Sequence, residues 1–256
     1  MSGKYIKSTR NREKVGSQVD SPVLPFEAII VAGGRGERLM PLTAHLPKPL
    51  LPVGGKPIVE YSMQRLRKAG VKNFTFCVNH LAELIQNHFG DGKSWSAEFE
   101  YLLESEPLGT IGGAALKENF KFEDLLVING DLLTTINFEK FYSFFLEEDA
   151  DLAVATIPYR VHLPYGILEM DEQNEVVGVK EKPIFTFRIN TGIYFLRKEV
   201  LKLIPQGCRY DAIDLIKSAI ENGLKVASYP MHEYWIDIGQ IEDYQRAQED
   251  VQHLEL

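Results

Sequence analysis

A glycine-rich turn followed by two cations is the part of this sequence best suited to chemistry. Gly33, Gly34 and Gly36 come directly after an apolar run, and Arg38 and Lys48 follow them. Glycine lets the backbone turn sharply and approach a ligand closely, and successive N–H groups in such a turn form a concave anion site. Because a purely structural turn has no need of cations, the pattern indicates a site that binds a polyphosphate and neutralises its charge.

The turn matches neither of two common nucleotide-binding motifs. Leu39 stands where the dinucleotide-binding fingerprint has its third glycine, and the Gly-Lys-Ser/Thr ending of a P-loop is missing. Without Arg38 and Lys48, a sharp structural turn would explain the glycines. The interpretation as a phosphate site therefore depends on the two cations.

Two aspartates are candidates for binding a divalent cation. Asp131 ends an apolar run, and Asp237 is flanked by Trp235, Ile236 and Ile238. In open α/β sheets ligands bind outside the carboxyl ends of strands, and Mg²⁺ is usually held by one or two carboxylates together with substrate phosphates. A lone aspartate more often caps a turn. If the fold brings the two together, one Mg²⁺ would satisfy both.

Five further residues suit a sugar phosphate. Glu181 and Lys182 place a hydroxyl acceptor beside a phosphate cation, although such a charged run is more often simply solvated. Asn190 and Thr191 follow a few residues later, and Gly166 would bring the backbone close to a small ligand.

The composition is that of a globular protein and excludes several classes of function. The chain has 256 residues, 45% of them hydrophobic and 25% charged, with a formal net charge of −8. An acidic chain is a poor candidate for nucleic-acid binding, and no apolar stretch reaches the roughly 20 residues that span a bilayer. The histidines show no zinc-ligand spacing, and no Gly-x-Ser-x-Gly motif is present. We therefore expect neither nucleic acid nor a membrane as a partner.

The cysteines indicate the compartment. Cys77 and Cys208 lie far apart in the sequence and form no metal or redox motif, so we predict a buried thiol at both positions. The first residues lack the apolar region of a signal peptide. These features favour the reducing cytoplasm.

Hydrophobic patterning predicts an α/β fold. Strand and helix patterns alternate up to Pro158, which indicates a mostly parallel sheet with helices on both faces. Beyond Pro158 strand patterns follow one another without helices, which predicts a mixed or antiparallel extension that forms a second substrate wall. A helix is predicted over residues 110–119. Residues 1–21 are polar and without periodicity, so we expect a flexible arm or linker there and a single domain over residues 22–256.

From about residue 26 to residue 251, the order of these motifs resembles the sugar-1-phosphate nucleotidyltransferases. Residues 32–39 with 41–43 look like the signature loop of that family, and residues 47–49 look like its catalytic lysine segment. The resemblance implies a Rossmann-like three-layer sandwich with a mixed, mostly parallel central sheet and a small antiparallel extension.

The resemblance also implies roles for individual residues. Arg38, Lys48 and Asp131 would be catalytic, and Asp131 and Asp237 would hold Mg²⁺. The nucleotide would be bound by the signature loop and by a base-recognition loop, which together supply Ala32, Gly33, Gly34, Gly36, Glu104, Gly109 and Thr110. The sugar phosphate would be bound by Gly166, Glu181, Lys182, Asn190 and Thr191.

The activity implied is transfer of a nucleoside monophosphate from a nucleoside triphosphate to a sugar 1-phosphate, with release of pyrophosphate. GTP is favoured because residues 104–110 resemble the guanylyl-transferring branch more than the thymidylyl-transferring one; dTTP, UTP and CTP are the alternatives. A glycosyltransferase would usually carry Asp-x-Asp, whereas Asp131 is followed by two leucines. A non-catalytic, nucleotide-sugar-binding regulatory subunit is the alternative from another class. The sequence leaves the sugar open and allows a homo-oligomer.

Overall fold

The computed structural model describes residues 24–255, so the arm predicted over residues 1–21 lies outside the described residues. The strands of the described part are β1 (Phe26–Ala32), β2 (Pro52–Val53), β3 (Lys56–Pro57), β4 (Asn73–Val78), β5 (Glu98–Leu103), β6 (Asp124–Asn129), β7 (Leu132–Thr134), β8 (Leu152–His162), β9 (Ile167–Met170), β10 (Val176–Lys180), β11 (Ile184–Arg197), β12 (Val226–Pro230) and β13 (Trp235–Asp237). The α-helices are α1 (Ile58–Lys68), α2 (Ala82–Phe89), α3 (Phe138–Glu147), α4 (Ala212–Glu221) and α5 (Ile241–Asp250).

Seven of these strands form the central sheet, in the order β12-β8-β11-β6-β1-β4-β5. Strands β6, β1, β4 and β5 are parallel to their neighbours in this part of the sheet, and β12 is parallel to β8. Strand β11 runs antiparallel to both β6 and β8. The mixed, mostly parallel sheet predicted from the sequence is therefore confirmed.

Both faces of the sheet are covered, which produces three layers. Phe26, Ala28 and Ile30 of β1 are buried in one core, to which α1, α2 and α3 contribute. Ile29 lies on the opposite face, in a second core that includes Leu215 of α4. Successive side chains of a strand point to opposite faces, so a strand buried on both sides is apolar at nearly every position. This explains the unbroken apolar runs of the sequence.

The antiparallel extension predicted beyond Pro158 is confirmed as a projecting β-arm, which we define as residues 158–188. Its base is the ribbon in which the end of β8 pairs with the start of β11, for example Tyr159 with Phe187. Its outer part is the hairpin of β9 and β10. Among residues 24–255, none of the helices combines the length and the hydropathy that a membrane-spanning segment requires.

Two local predictions are wrong. The helix predicted over residues 110–119 is a short 3-10 turn, Gly112–Leu116. Gly113 lets the chain close on a buried side chain, because a Cβ there would lie 2.3 Å from Oε1 of Glu104. Cys77 is buried as predicted, but Cys208 is exposed. The segment before α4 runs over the surface, where a thiol has no core to enter.

Candidate active site

The carboxyl edge of the parallel strands gathers most of the predicted residues. Gly33 follows β1, Glu104 follows β5, and Asp131 follows β6. The N–H of Gly130 donates to the carbonyl of Val31 at 2.8 Å, which ties the turn after β6 to the end of β1. Parallel strands that end at one edge thus place these segments side by side, as expected for a ligand site in an open α/β sheet.

The glycine turn is held in one conformation and leaves backbone open to a ligand. Gly36 has φ of +65°, and a Cβ there would lie 2.9 Å from Cγ2 of Thr43. The buried Thr43 donates its hydroxyl to the Gly36 carbonyl at 2.8 Å. A Cβ at Gly34 would meet no other atom within 4 Å. The turn is therefore rigid at Gly36 and accessible at Gly34.

Lys48 lies between two carboxylates. Its side chain is only 12% exposed, and Nζ donates a short hydrogen bond to Oδ2 of Asp131. The same Nζ lies 3.7 Å from Oδ1 of Asp237. Lys48 opens a 3-10 turn, Lys48–Leu50, between two prolines, which fixes the direction of the chain there. The structure thus brings together three residues that are separated by up to 189 positions (237 − 48).

A small antiparallel pair, β7 with β13, places the two aspartates. Asp237 pairs with Leu132, the residue after Asp131. The N–H of Ile238 donates to the carbonyl of Asp131 at 3.2 Å. Leu133 and Ile236 of this pair are buried in a third core with Ala247 of α5. Burial of these neighbours is what leaves the two carboxylates at the edge of the cleft.

The electrostatics of the site favour a bound cation. Burial, and next the charge of Asp131, raise the pKa of Asp237, while Lys48 and Arg38 act in the opposite direction. Arg38 is exposed and forms no ion pair with any residue in the 24–255 range, and its guanidinium lies just under 4 Å from where a Cβ of Gly239 would be. Arg38 is thus a free cation beside the cluster of Lys48, Asp131 and Asp237.

The residues fit a magnesium ion whose ligands come partly from the protein and partly from a substrate. Oδ1 of Asp131 is buried and has no hydrogen-bond partner in the part of the chain that the structure describes. No group of three or more His, Cys, Asp or Glu side chains in that part could hold a metal by itself. Mg²⁺ typically uses one or two carboxylates and completes its shell with water and phosphate oxygens. The pair of Asp131 and Asp237 meets that requirement.

Glu104 is buried behind the glycine turn. Its residue exposure is 4%, and its Oε2 accepts the N–H of Leu108 at 3.0 Å. A Cβ at Gly33 would lie 3.1 Å from the same carboxylate. Burial raises the pKa of Glu104, and the bond from Leu108 opposes that rise. Glu104 therefore shapes both the glycine turn and the loop that follows β5.

A cleft of about 460 Å³ reaches Asp237, and Thr110, Asn190 and Thr191 are also among the residues that line it. The side chains of Asn190 and Thr191 are already engaged in hydrogen bonds within the protein. Asn190 donates to the hydroxyl of Tyr194 at 2.7 Å and accepts the N–H of Gly192 at 3.0 Å. The hydroxyl of Thr191 donates to the carbonyl of Ala155 at 2.7 Å.

The remaining predicted sugar-phosphate residues lie together on the β-arm. A Cβ at Gly166 would lie 3.1 Å from Oε2 of Glu181. Lys182 Nζ lies 3.8 Å from Oε1 of Glu181, and both side chains are exposed. None of the three lines the 460 Å³ cleft. The structure therefore groups these residues with one another and does not place them among the residues of the cleft wall.

Sequence reasoning missed several residues of the cleft, among them Asn129, Asp211 and Trp235. Oδ1 of Asn129 is buried and unpartnered among the described residues, and a Cβ at Gly192 would lie 2.4 Å from its Nδ2. Trp235 donates its Nε1 hydrogen to the carbonyl of Thr191 at 2.9 Å. The position of Asn129 at the carboxyl end of β6 was an available signal. Nothing local marked Asp211.

Comparison with known proteins shows what this arrangement is similar to. Residues 27–253 match the family described as Nucleotidyl transferase. A UTP–glucose-1-phosphate uridylyltransferase of Synechocystis sp. is 31% identical over 87% of this chain, which spans 62% of that protein. A D-glycero-alpha-D-manno-heptose 1-phosphate guanylyltransferase of Aneurinibacillus thermoaerophilus is 31% identical over 89% of this chain and 99% of its own length.

A solved structure agrees with these relatives. HddC from Yersinia pseudotuberculosis complexed with GMP-PN has a TM-score of 0.68 and 27% identity, covering 88% of this chain and 99% of that chain. Both named relatives are nucleotidyl-transferring enzymes, so the regulatory-subunit alternative finds no support among them. The match over almost all described residues, together with a fold and a charged cluster of the expected kind, leads to one conclusion: this chain belongs to the nucleotidyl transferase family.

Proposed function

We propose that this chain transfers a nucleoside monophosphate from a nucleoside triphosphate, with GTP favoured, to a sugar 1-phosphate. A phosphate oxygen of the sugar 1-phosphate attacks the α-phosphorus. A new P–O bond forms, the bond from the α-phosphorus to the bridging oxygen breaks, and pyrophosphate leaves with the electron pair. The observation that carries the proposal is the ammonium of Lys48 between the carboxylates of Asp131 and Asp237, beside an open glycine turn.

The chemical difficulty is that two anions must meet. The attacking phosphate oxygen is already a nucleophile, so no general base is required. Phosphoryl-type transfer depends mainly on positioning and on cations aimed at the charge that develops. Lys48 is held rigidly for this purpose, whereas the exposed Arg38 is free to reach a bound triphosphate.

Mg²⁺ would be held by Asp131 and Asp237. The unpartnered Oδ1 of Asp131 and the repulsion between the two carboxylates support this assignment. When bound, the ion would neutralise phosphate charge and align the triphosphate. The glycine turn would supply N–H donors to the phosphate oxygens.

The preference for GTP is supported by the chemistry of Glu104. A carboxylate offers only acceptors, and the Watson–Crick edge of guanine presents two adjacent N–H donors. Uracil and thymine present a single donor between two acceptors, which suits an amide better. Oε2 of Glu104 already accepts the N–H of Leu108, which leaves Oε1 for a base donor. A guanylyltransferase relative and a structure complexed with GMP-PN agree with this choice.

On the sugar side, we assign the 1-phosphate to Lys182 and sugar hydroxyls to Glu181, with Gly166 keeping space beside them. Both side chains are exposed and held near each other, so they are available to a ligand. Asn190 and Thr191 would contribute mainly through the backbone, because their side-chain groups are engaged within the protein. The identity of the sugar is left to experiment.

A homo-oligomer and a cytoplasmic location stay predictions. For the oligomer, we propose that the exposed apolar side chains of the β-arm form the interface between two copies of the chain. Tyr159 and Phe187 are directly paired and exposed, and Leu168 and Val179 are paired and exposed on the hairpin. Exposed apolar side chains grouped in this way are typical of a protein–protein interface.

The proposal is tested with a matrix of GTP, UTP, dTTP and CTP against several sugar 1-phosphates, scored by pyrophosphate released with Mg²⁺. We expect release to be fastest with GTP and one sugar. Asp131→Asn should lower turnover by at least about 10²-fold with the fold intact. Asp149→Asn, which changes an aspartate with a 95% exposed side chain, is the matched control. No pyrophosphate in any combination from folded protein would refute the proposal.

A further inference from the structure

The loop before the 3-10 turn and the start of α4 exchange capping contacts. Asp211 immediately precedes α4, yet its Oδ1 accepts the N–H of Thr110 at 3.0 Å and caps no N–H of its own helix in the described structure. The hydroxyl of Thr110 in turn accepts the N–H of Ala212, the first residue of α4, at 2.8 Å. The first N–H groups of a helix have no partners within the helix. The loop and the start of α4 therefore each accept a backbone N–H from the other.

Backbone contacts strengthen this junction. The N–H of Tyr210 donates to the carbonyl of Leu108 at 2.9 Å, and the N–H of Gly112 donates to the carbonyl of Tyr210 at 3.1 Å. Gly109 has φ of +81°, and a Cβ there would lie 2.7 Å from Oδ1 of Asp211. The close approach that brings the carboxylate to Thr110 is thus available only to glycine at position 109.

The junction lies where the two substrates would meet. Thr110 and Asp211 both line the 460 Å³ cleft, together with Asn190 and Asp237. Gly109 and Thr110 belong to the loop to which we assign the nucleotide. Oδ1 of Asp211 is engaged within the protein, because it accepts the Thr110 N–H.

We propose that Asp211 is a positioning residue: its carboxylate holds Gly109 and Thr110 in the conformation that binds the nucleotide. This inference rests on the proposed function. The property that matters is a hydrogen-bond acceptor at Oδ1, so an amide oxygen at the same place should serve nearly as well as a carboxylate.

The test compares Asp211→Ala, which removes the acceptor, with Asp211→Asn, which keeps it. Hydrogen exchange of residues 104–113, measured without substrate, reports whether the hydrogen bond between Thr110 and Asp211 holds the loop. We expect faster exchange in Asp211→Ala and wild-type exchange in Asp211→Asn. The KM for GTP and its dissociation constant should rise roughly tenfold in Asp211→Ala, as for loss of one charge-assisted hydrogen bond, while kcat changes little. Glu221→Ala, at the far end of α4, is the matched control.

Thermal unfolding first establishes that each variant is folded. Unchanged exchange in Asp211→Ala would overturn the inference, and so would faster exchange with unaltered nucleotide binding. An Asp211→Asn variant as defective as Asp211→Ala would show that the charge acts directly on a substrate or ion, which also overturns it. Failure of the proposed function would give a different result, because the wild-type protein would then release no pyrophosphate. The comparison of hydrogen exchange would still show whether the Asp211 carboxylate holds residues 104–113.

Discussion

Replacing Lys48 with methionine should have two opposite effects, one on turnover and one on metal binding. Methionine has a similar length and volume but no charge, so the change removes the cation that lies between Asp131 and Asp237. Turnover should fall because a cation near the reacting phosphates is lost. Binding of a divalent ion in the absence of nucleotide should become tighter, because Lys48 no longer competes for the same carboxylates.

The magnitude follows from the geometry. At 3.7 Å, an effective dielectric constant of about 20 gives ~4.5 kcal/mol of attraction between the ammonium and Asp237. The Asp237 side chain is 47% exposed, and solvent screening lowers this to about 1–2 kcal/mol. Each 1.4 kcal/mol corresponds to tenfold in affinity, so the affinity for the divalent ion should rise about tenfold. Loss of one transition-state cation typically lowers kcat about 10²–10³-fold.

The assays are pyrophosphate release for turnover and titration with Mn²⁺, followed by its electron paramagnetic resonance signal, for metal binding. Lys198→Met is the matched control, since Lys198 forms an exposed ion pair with Glu123 away from the cleft. It should leave both quantities unchanged. Weaker metal binding in Lys48→Met, or a wild-type kcat in the folded variant, would refute the reasoning.

Four further predictions test other parts of the structure. Glu104→Gln should lower kcat/KM for GTP relative to UTP in the pyrophosphate assay, because the amide presents an NH2 donor where Oε1 of the carboxylate would accept a base N–H. Burial raises the pKa of Glu104, so the folded state keeps this proton to higher pH than the unfolded chain, and the wild-type protein loses stability as pH rises through the folded pKa. Melting curves should therefore show Glu104→Gln more stable than wild type at pH 8 but not at pH 4. Equal differences at both pH values would contradict this sign. Gly109→Ala should lower the melting temperature by roughly 4–8 °C, as for a loss of ~2 kcal/mol, since its Cβ would lie 2.6 Å from the Tyr210 carbonyl; an unchanged melting temperature would argue against that contact. A thiol reagent should modify Cys208 alone in native protein, because Cys77 is buried and burial raises the pKa of its thiol; mass spectrometry of the native and unfolded protein counts the modified sites.

Local chemistry made much of the site predictable. The glycine turn was visible because positive φ and close approach select glycine, and Gly36 has both. The alternation of strands and helices up to Pro158 was predictable in the same way, since period and turn residues act over short distances. The residue pattern predicted Lys48 as a phosphate-binding cation and Asp131 as a ligand of a divalent ion, and the resemblance to a family added the catalytic roles that we propose for both.

Contacts between distant segments lay beyond sequence reasoning. Strand β7 has only three residues and exists because β13 pairs with it, and that pairing sets Asp237 beside Asp131. The exchange of caps between Thr110 and Asp211 likewise joins positions that no local period connects.

The sequence by itself determined the α/β class, the position of the glycine turn and the identity of the charged residues, because backbone conformation and side-chain chemistry depend on near neighbours. Only the tertiary structure decided which charges meet, which hydroxyls are already engaged and which loop is held in place. Those outcomes depend on strand order and register, which emerge when the two faces of the sheet are buried together.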